Sequence, residues 1–276
     1  MPFQRPALPN DARCVVCLTF DNFGESFDVL RYGHAGGASA DGVYAPRRGV
    51  ERVLDLLDGH DIPATFFVEG WNARKYADLA KDVVDRGHEI AGHGWMHETW
   101  NELDRDTERD LIERATDAIA TATGERPTGW RAPSGLTTRW TVEQLHSAGY
   151  SYDSSFGDDD APYWLQVAEG SDREIVELPW TWTLDDAYPG TIRQASKVID
   201  LWIEEFNAAY EMTGYFMLVC HPRYAGRPSR ILALERLIGH IKDHDGVWFA
   251  RCDELAAHAA RATTTPHHPA PAALDE

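Results

Sequence analysis

Along the chain, short apolar runs alternate with longer stretches in which apolar residues recur every three or four positions. The runs are VVCLTF (15–20), ATFFVE (64–69), HEIAGH (88–93), TGWRAP (128–133), YSYDSS (150–155), EIVELP (174–179), YFMLVCH (215–221) and GVWFA (246–250). They are rich in Val, Ile, Phe and Tyr, side chains that suit a pleated, half-buried surface, and each reads as a strand. Between them lie helical patterns. RRGVERVLDLLDGH (47–60) places Val50, Val53, Leu54 and Leu57 on one face, and WNARKYADLAKDVVDRG (71–87) stops at Gly87. The stretch 104–124 opens with acidic residues and closes at Gly124, and 137–149 closes at Gly149. Residues 189–214 and 227–246 complete the helical set. Repeated strand–helix units predict an α/β protein with a mostly parallel sheet and right-handed crossovers, closed into a (β/α) barrel of seven to eight strands. Residues 24–46 read as a long, Gly-rich loop at the barrel mouth.

No internal boundary divides the chain, so 1–262 reads as a single domain. The segment 263–276, TTTPHHPAPAALDE, reads as a flexible tail, whose His267 and His268 are solvated. The formal net charge of -19 disfavours phosphate backbones and anionic bilayers, so neither nucleic acid nor membrane is an expected partner. MPFQRPALPND lacks the apolar core of a signal peptide, and no apolar run is long enough to span a bilayer, so the expected location is cytoplasmic. Cys14 and Cys17 form a CxxC, but in a strand positions three apart face opposite sides. Together with Cys220 and Cys252 they read as buried free thiols in a reducing compartment.

Barrel enzymes carry their chemistry at the C-terminal ends of strands. Those ends deliver Asp21, His93 with His97, Arg131, Asp153, the pair Trp180 and Trp182, and His221. Each has an ordinary structural reading. Asp21 can cap a helix, Arg131 can form a surface ion pair, Asp153 can sit in a turn, and His221 can be a satisfied histidine before Pro222. His93 and His97, four apart, share a side on one helical turn and can share a metal, although the intervening Glu of a zinc-protease helix is absent. Convergence of so many catalytic types on one mouth favours the functional reading. Trp95, Trp180 and Trp182 wall a compact pocket in that reading; otherwise they fill the barrel.

LTFD (18–21), HGWMH (93–97), RAPSG (131–135), YDSS (152–155) and LVCHP (218–222) resemble, in order, the five motifs of the polysaccharide deacetylase (NodB-like, carbohydrate esterase 4-type) family. ELPWTWTLDDAYP (177–189), HPRYAGRPSRILALERLI (221–238) and DGVWFARCDELA (245–256) resemble a subgroup with cyclic imide hydrolases, an allantoinase and a peptidoglycan deacetylase-like protein. The resemblance implies a distorted (β/α) barrel that hydrolyses amide bonds, and a homo-oligomer, a tetramer in that subgroup. It implies Asp21 as general base, His93 and His97 as metal ligands, and Arg131 as the residue that orients Asp21. It further implies Asp153 as the carboxylate supporting a catalytic His221. Such a set is chemically coherent: a carboxylate base, a metal-polarised carbonyl and a protonated imidazole for the departing nitrogen.

The family's metal carboxylate is missing, because its two positions hold Asn22 and Phe23. Three outcomes stay open: Asp21 itself turns to the metal, Glu25 reaches in, or the metal is weak or absent. With both histidines present, a divalent ion is expected, zinc by default. The expected function is hydrolysis of a non-peptide C–N bond in a small cytoplasmic amide, cyclic imide or ureide. The alternatives are an N-acetyl sugar deacetylase and a catalytically weak barrel that binds a ligand or partner.

Overall fold

The computed structural model describes residues 5, 7–37, 40–188, 194–262 and 264–270. Its strands are β1 Cys14–Asp21, β2 Thr65–Val68, β3 Glu89–Gly92, β4 Gly129–Trp130, β5 Tyr152–Asp153, β6 Tyr163–Gln166, β7 Glu174–Glu177, β8 Tyr215–Cys220, β9 Val247–Phe249 and β10 His267–His268. The helices before β4 are α1 Ser26–Tyr32, α2 Asp41–Tyr44, α3 Val50–His60, α4 Gly70–Lys75, α5 Ala77–Asp85 and α6 Arg105–Thr123. After it come α7 Thr141–Ser147, α8 Ala195–Met212, α9 Pro222–Ala225, α10 Pro228–Lys242 and α11 Cys252–Ala259.

Strands β8, β1, β2, β3, β4, β5 and β7 lie side by side in that order, each parallel to the next, and form the wall of a distorted (β/α) barrel. β9 shares an edge of β1 with β2: Cys14–Val16 pair with Val247–Phe249, and Thr19–Asp21 with Thr65–Phe67. Among the described residues no ladder joins β7 to β8. That seam is bridged by Tyr215 Oη donating to Pro179 O at 2.7 Å and by an isolated pairing of Asp185 with Val219.

Strand periodicity sorts the side chains into layers. Val15 and Cys17 of β1 join Phe67, Ala91, Tyr152, Val176, Met217 and Val219 in the barrel interior. Cys14, Val16, Leu18 and Phe20 lie under the outer helices, against Val53 and Leu57 of α3, Phe206 of α8 and Leu237 of α10. The thiols of CxxC therefore sit in different layers, and all four cysteines are buried and free. Val50, Val53, Leu54 and Leu57 form the buried face of α3, as their spacing predicts. Continuing the inward register of β1 beyond Val15 and Cys17 brings Thr19 and Asp21 into the barrel at its mouth.

Several expectations are corrected. Residues 24–46 are not a plain loop: they contain α1 and α2, with Gly33 ending α1 at φ 74°. The pattern 71–87 is broken at Tyr76 into α4 and α5. β6, four residues with alternate positions buried, was not among the predicted strands: it is a short run in the turn-rich stretch between β5 and β7. The tail is not wholly flexible either. β10 pairs in parallel with β6, His267 Nδ1 bonds Glu174 at 2.8 Å, and His268 packs on Tyr163 with the rings tilted at 45° and centroids 4.2 Å apart. The packed body thus extends past residue 262, while 263 and 271–276 lie outside the described residues, as do 189–193 of the predicted helix 189–214. No helix of the described residues is long and apolar enough to cross a membrane.

One close approach fixes the chain just beyond β8. A π-helical turn, Ala45–Gly49, leads into α3. A Cβ on Gly49 would lie 2.2 Å from the carbonyl oxygen of Pro222, and one on Gly226 would lie 2.4 Å from Gly49 Cα. Backbone meets backbone here, so the clash has no flexible side chain to absorb it. Gly49→Ala is expected to cost about 1–3 kcal/mol in urea unfolding, the usual range for overpacking. Gly59→Ala is the control: a Cβ there meets nothing within 4 Å. Equal stability of the two variants would show that the approach carries no constraint.

Candidate active site

The mouth of the barrel holds an open cavity of about 180 Å³ lined by Asp21, Asn22, Phe27, His93, His97, Arg131, Ser134, Gly135, Trp180, Trp182, Asp185, Ala187, His221, Arg223 and Tyr224. It gathers residues from the ends of β1, β3, β4 and β8 and from the segment after β7, which is the convergence the strand-end reading expects.

Arg131 follows β4, and only 1% of it is exposed. Its Nη1 donates to Asp21 Oδ1 at 2.9 Å and to Thr19 Oγ1 at 2.9 Å. Its Nε donates to Ser154 O at 3.0 Å and its Nη2 to Ser154 Oγ at 2.9 Å and Met217 Sδ at 3.0 Å. The guanidinium also lies over the Phe67 ring, 4.0 Å from its centroid. A buried guanidinium requires this many partners, because an unpaired one costs several kcal/mol. The arrangement leaves Asp21 aimed at the cavity with one oxygen fixed.

His93 follows β3 on the inward register, and its Nδ1 bonds the carbonyl oxygen of Arg131 at 2.8 Å. That bond places the hydrogen on Nδ1 and leaves Nε2 as the lone-pair nitrogen. Burial drives the His93 pKa down to about 3 and that of His97 well below its usual value, so both rings are neutral at pH 7. The ring centroids are 5.1 Å apart. They are not brought together by a helical turn, as the spacing suggests. Residues 93–97 form a tight loop with Gly94 at φ 75° and His97 at φ 70°, and Glu98 accepts from the amides of Trp95 and Met96 at 3.1 and 2.9 Å.

The stretch after β1 resolves which of its residues face the site. Asn22 lines the cavity in a left-handed conformation, φ 61°, and its buried Oδ1 has no hydrogen-bond partner. Phe23 turns away and packs edge-on against Phe66. Glu25 precedes α1 and accepts from Lys75 and Tyr76, so it does not reach in. The loop is held by Glu69 Oε2, which accepts from Phe23 N at 3.2 Å, and by Asn72 Oδ1, which accepts from Ser26 N at 3.3 Å. Two neutral imidazoles and an orphaned amide oxygen on one wall fit a divalent cation. The amide brings no charge to offset the ion's own.

His221 follows β8, and its partner is not Asp153. Its Nδ1 bonds Asp186 Oδ1 at 2.6 Å, its amide donates to Asp186 Oδ2 at 3.1 Å, and Asp185 Oδ1 lies 3.9 Å from Nδ1. Asp186 arrives there because its amide pairs with Val219 O at 3.0 Å, laying the segment along the end of β8. Asp153 is excluded by register. Tyr152 takes the inward position of β5, so Asp153 faces outward beside Glu177, its partner in β7. There its Oδ1 accepts from Ser155 Oγ at 2.6 Å and Ser154 N at 2.9 Å. Asp153 thus shapes the strand end whose Ser154 holds Arg131. Trp95 is corrected as well: it is buried between the guanidiniums of Arg74 and Arg114, 4.9 and 3.8 Å away, and does not line the cavity. Trp180 and Trp182 do line it, edge to face at 4.8 Å.

Asp185, Asp186 and His221 present ligand atoms within 4.8 Å of one another. The short Nδ1–Asp186 bond marks a proton-sharing pair there, not an ion cage. Sequence reasoning missed both aspartates although LDDAYP was in view as a subgroup marker. It also missed Phe27 and Glu69, which carry no motif, and Arg223, which was in view only as part of the subgroup segment 221–238.

Burial works against a charge on His221, but the hydrogen bond and field of Asp186, with Asp185 and Asp21, outweigh it and raise its pKa to about 8. Because the folded value lies above the unfolded one, protonation stabilises the fold. The contribution, about 2 kcal/mol, is complete below about pH 6.5 and is lost as pH rises through about 8. In Asp186→Asn burial remains without its counterweight. The His221 pKa, followed by NMR titration of the ring protons, is therefore expected to fall below about 6.5. A value still near 8 would mean that Asp186 does not set the charge.

A family model described as polysaccharide deacetylase matches residues 10–152. A polysaccharide deacetylase-type crystal structure from Mycobacterium smegmatis superposes with a TM-score of 0.88 at 34% identity, covering 100% of this chain and 99% of that one. A solved allantoinase, Puue, superposes with a TM-score of 0.83 at 27% identity, covering 92% and 93%. The peptidoglycan deacetylase of Helicobacter pylori is 29% identical over 248 residues, 78% of this chain and 85% of its own. With its strand-end motifs assembled at one mouth, the chain belongs to the polysaccharide deacetylase family and is a hydrolase of that type on a distorted (β/α) barrel.

Proposed function

We propose that this protein hydrolyses a non-peptide carbon–nitrogen bond in a small amide, cyclic imide or ureide. The observation that carries the reading is the compactness of the mouth. About 180 Å³ lies between Trp180, Trp182, Phe27 and Tyr224, a space that suits a small ring better than a polymer. The superposition on the allantoinase supports it.

In this reading Asp21, oriented by Arg131, takes the proton of the attacking water. The geometry supports that role, since Arg131 fixes one carboxylate oxygen and Asp21 lines the cavity. His221, kept protonated by Asp186 at neutral pH, donates to the departing nitrogen through its other ring nitrogen. Trp180 and Trp182 stack against the substrate. His93, His97 and Asn22 would hold a divalent ion, zinc by default, and the chemistry it would supply there is Lewis-acid polarisation of the carbonyl. Asp21 joins that set only through the oxygen Arg131 leaves. A small cytoplasmic substrate and a homo-oligomer, a tetramer as in the subgroup, belong to the same proposal.

The second reading, deacetylation of an N-acetylated sugar, is favoured by one feature. Trp182 and Tyr188, 49% and 44% exposed, offer aromatic faces in contact at the rim, 6.3 Å apart. A substrate panel separates the two. Of a set of small rings that includes hydantoin-5-acetic acid beside allantoin, hydantoin and succinimide, at least one is expected to be opened, and chitooligosaccharides to release no acetate. Acetate release from the oligosaccharides with inert rings would reverse the assignment. No activity on either class, unchanged by Asp21→Asn, would favour a binding barrel.

Asn22 generates a metal prediction. Asn22→Asp adds a charge where the ion sits, and zinc affinity is expected to rise by about tenfold or more, as ligand charge tunes cation sites. Competition with a chromophoric chelator on untagged protein reads this without an assay of turnover. Unchanged affinity would remove Asn22 from the ligand set.

A further inference from the structure

Arg223 is the one cavity residue whose charge the proposed chemistry does not use. It is 7% exposed and lines the cavity beside Asn22, His97 and Tyr224. Its Nε is buried without a hydrogen-bond partner, and among the described residues its guanidinium makes no hydrogen bond or ion pair. The other guanidinium of the site behaves differently: every nitrogen of Arg131 is bonded.

The carboxylates near Arg223 are engaged elsewhere. Glu69 feels its field, but only one of its oxygens is bonded: Oε2 accepts from Phe23 N and from Asn72 Nδ2 at 2.7 Å, Oε1 has no hydrogen-bond partner and makes no bond to Arg223, and burial lifts the carboxyl pKa to about 7, towards the neutral acid. Asp28 also feels it, but Asp28 Oδ2 accepts from Gly42 N at 3.2 Å. The guanidinium carbon also lies over the Tyr224 ring, 5.9 Å from its centroid. A buried guanidinium without a bonded counter-charge is costly, and sites that retain one do so where a ligand completes it.

We propose that Arg223 is a carboxylate anchor, and that the substrate carries a carboxylate group beside the carbon–nitrogen bond that is cut. The inference rests on the reading of the cavity as a substrate site. A planar carboxylate matches the two-pronged donor face of a guanidinium. A phosphate does not suit the place: it brings up to two charges and three acceptor oxygens, against one free arginine in a cavity that Asp21 and Asp185 also line. The chain's net charge of -19 repels anions at long range, so a buried point anchor is what selects one anion over neutral analogues. A neutral analogue would leave the guanidinium desolvated and unpaired, which is the strongest basis for discrimination in a small pocket.

The test uses matched acid and neutral pairs: N-acetylglycine with N-acetylglycinamide, succinamate with succinamide, and hydantoin-5-acetic acid with its methyl ester. Binding is measured by calorimetry on full-length His221→Gln protein, which removes the proposed proton donor and leaves the Arg131–Asp21 pair intact, so turnover does not interfere. In at least one pair the acid is expected to bind ten or more times tighter than its neutral partner. That preference is lost when Arg223→Gln is added and partly regained with Arg223→Lys. A folded Arg223→Gln protein that keeps the preference, or the absence of a preference in every pair, overturns the proposal. Turnover of the same six compounds by wild-type protein is scored separately. A bound acid that is never hydrolysed counts against the proposed function and leaves the anchor standing.

Discussion

The ion pair between Arg131 and Asp21 is the interaction on which the mouth of this barrel depends. Neither charge is tolerable alone at this depth, and the guanidinium, carried just after β4, recruits partners from three other strands: Asp21 and Thr19 of β1, Ser154 after β5, and Met217 of β8. Thr19 serves twice, accepting from Arg131 and donating to Leu218 O at 2.9 Å. A one-residue slip of any of these short strands would turn its partner to the other face. The pair therefore locks register where β4 and β5, at two residues each, have little ladder of their own. The same residue reaches the histidines, since the Arg131 carbonyl holds His93.

Around that lock the site separates charged from neutral groups by environment. His93 and His97 are kept neutral by burial, while His221, equally enclosed, is kept charged by Asp186. Three imidazoles of identical chemistry thus receive two roles, lone-pair donor and proton donor. Asn22 lowers the negative charge of the first group, and Arg223 adds positive charge on the same side. Both features lower the negative charge of the mouth.

Much of this was legible in the sequence for a definite reason. Strand periodicity fixes which residues face inward, so Asp21, His93, Arg131 and His221 could be placed at one mouth from their positions after apolar runs. The same rule, applied to β5, excludes Asp153, but a run of two paired residues, Tyr152 and Asp153, is too short to show its register in sequence. Asp186 was hidden because it reaches His221 through an irregular segment laid along β8. Glu69 and Arg223 stand just after β2 and β8, but nothing local shows that one fixes the loop after β1 and the other lines the cavity, and the burial of Trp95 against Arg74 and Arg114 depends on helix placement. β6 and β10 were missed because a short run in a turn-rich stretch gives little hydrophobic signal.

The central claim is that Arg131 and Asp21 act as one buried unit that organises the site. A double-mutant cycle in urea unfolding tests it, with Arg131→Gln, Asp21→Asn and the double variant. The account predicts that each single change is strongly destabilising and that the double change costs less than their sum by about 2 kcal/mol, because the second substitution relieves the charge stranded by the first. Costs that add to within about 0.5 kcal/mol would show the two residues to be independent, and would contradict the account.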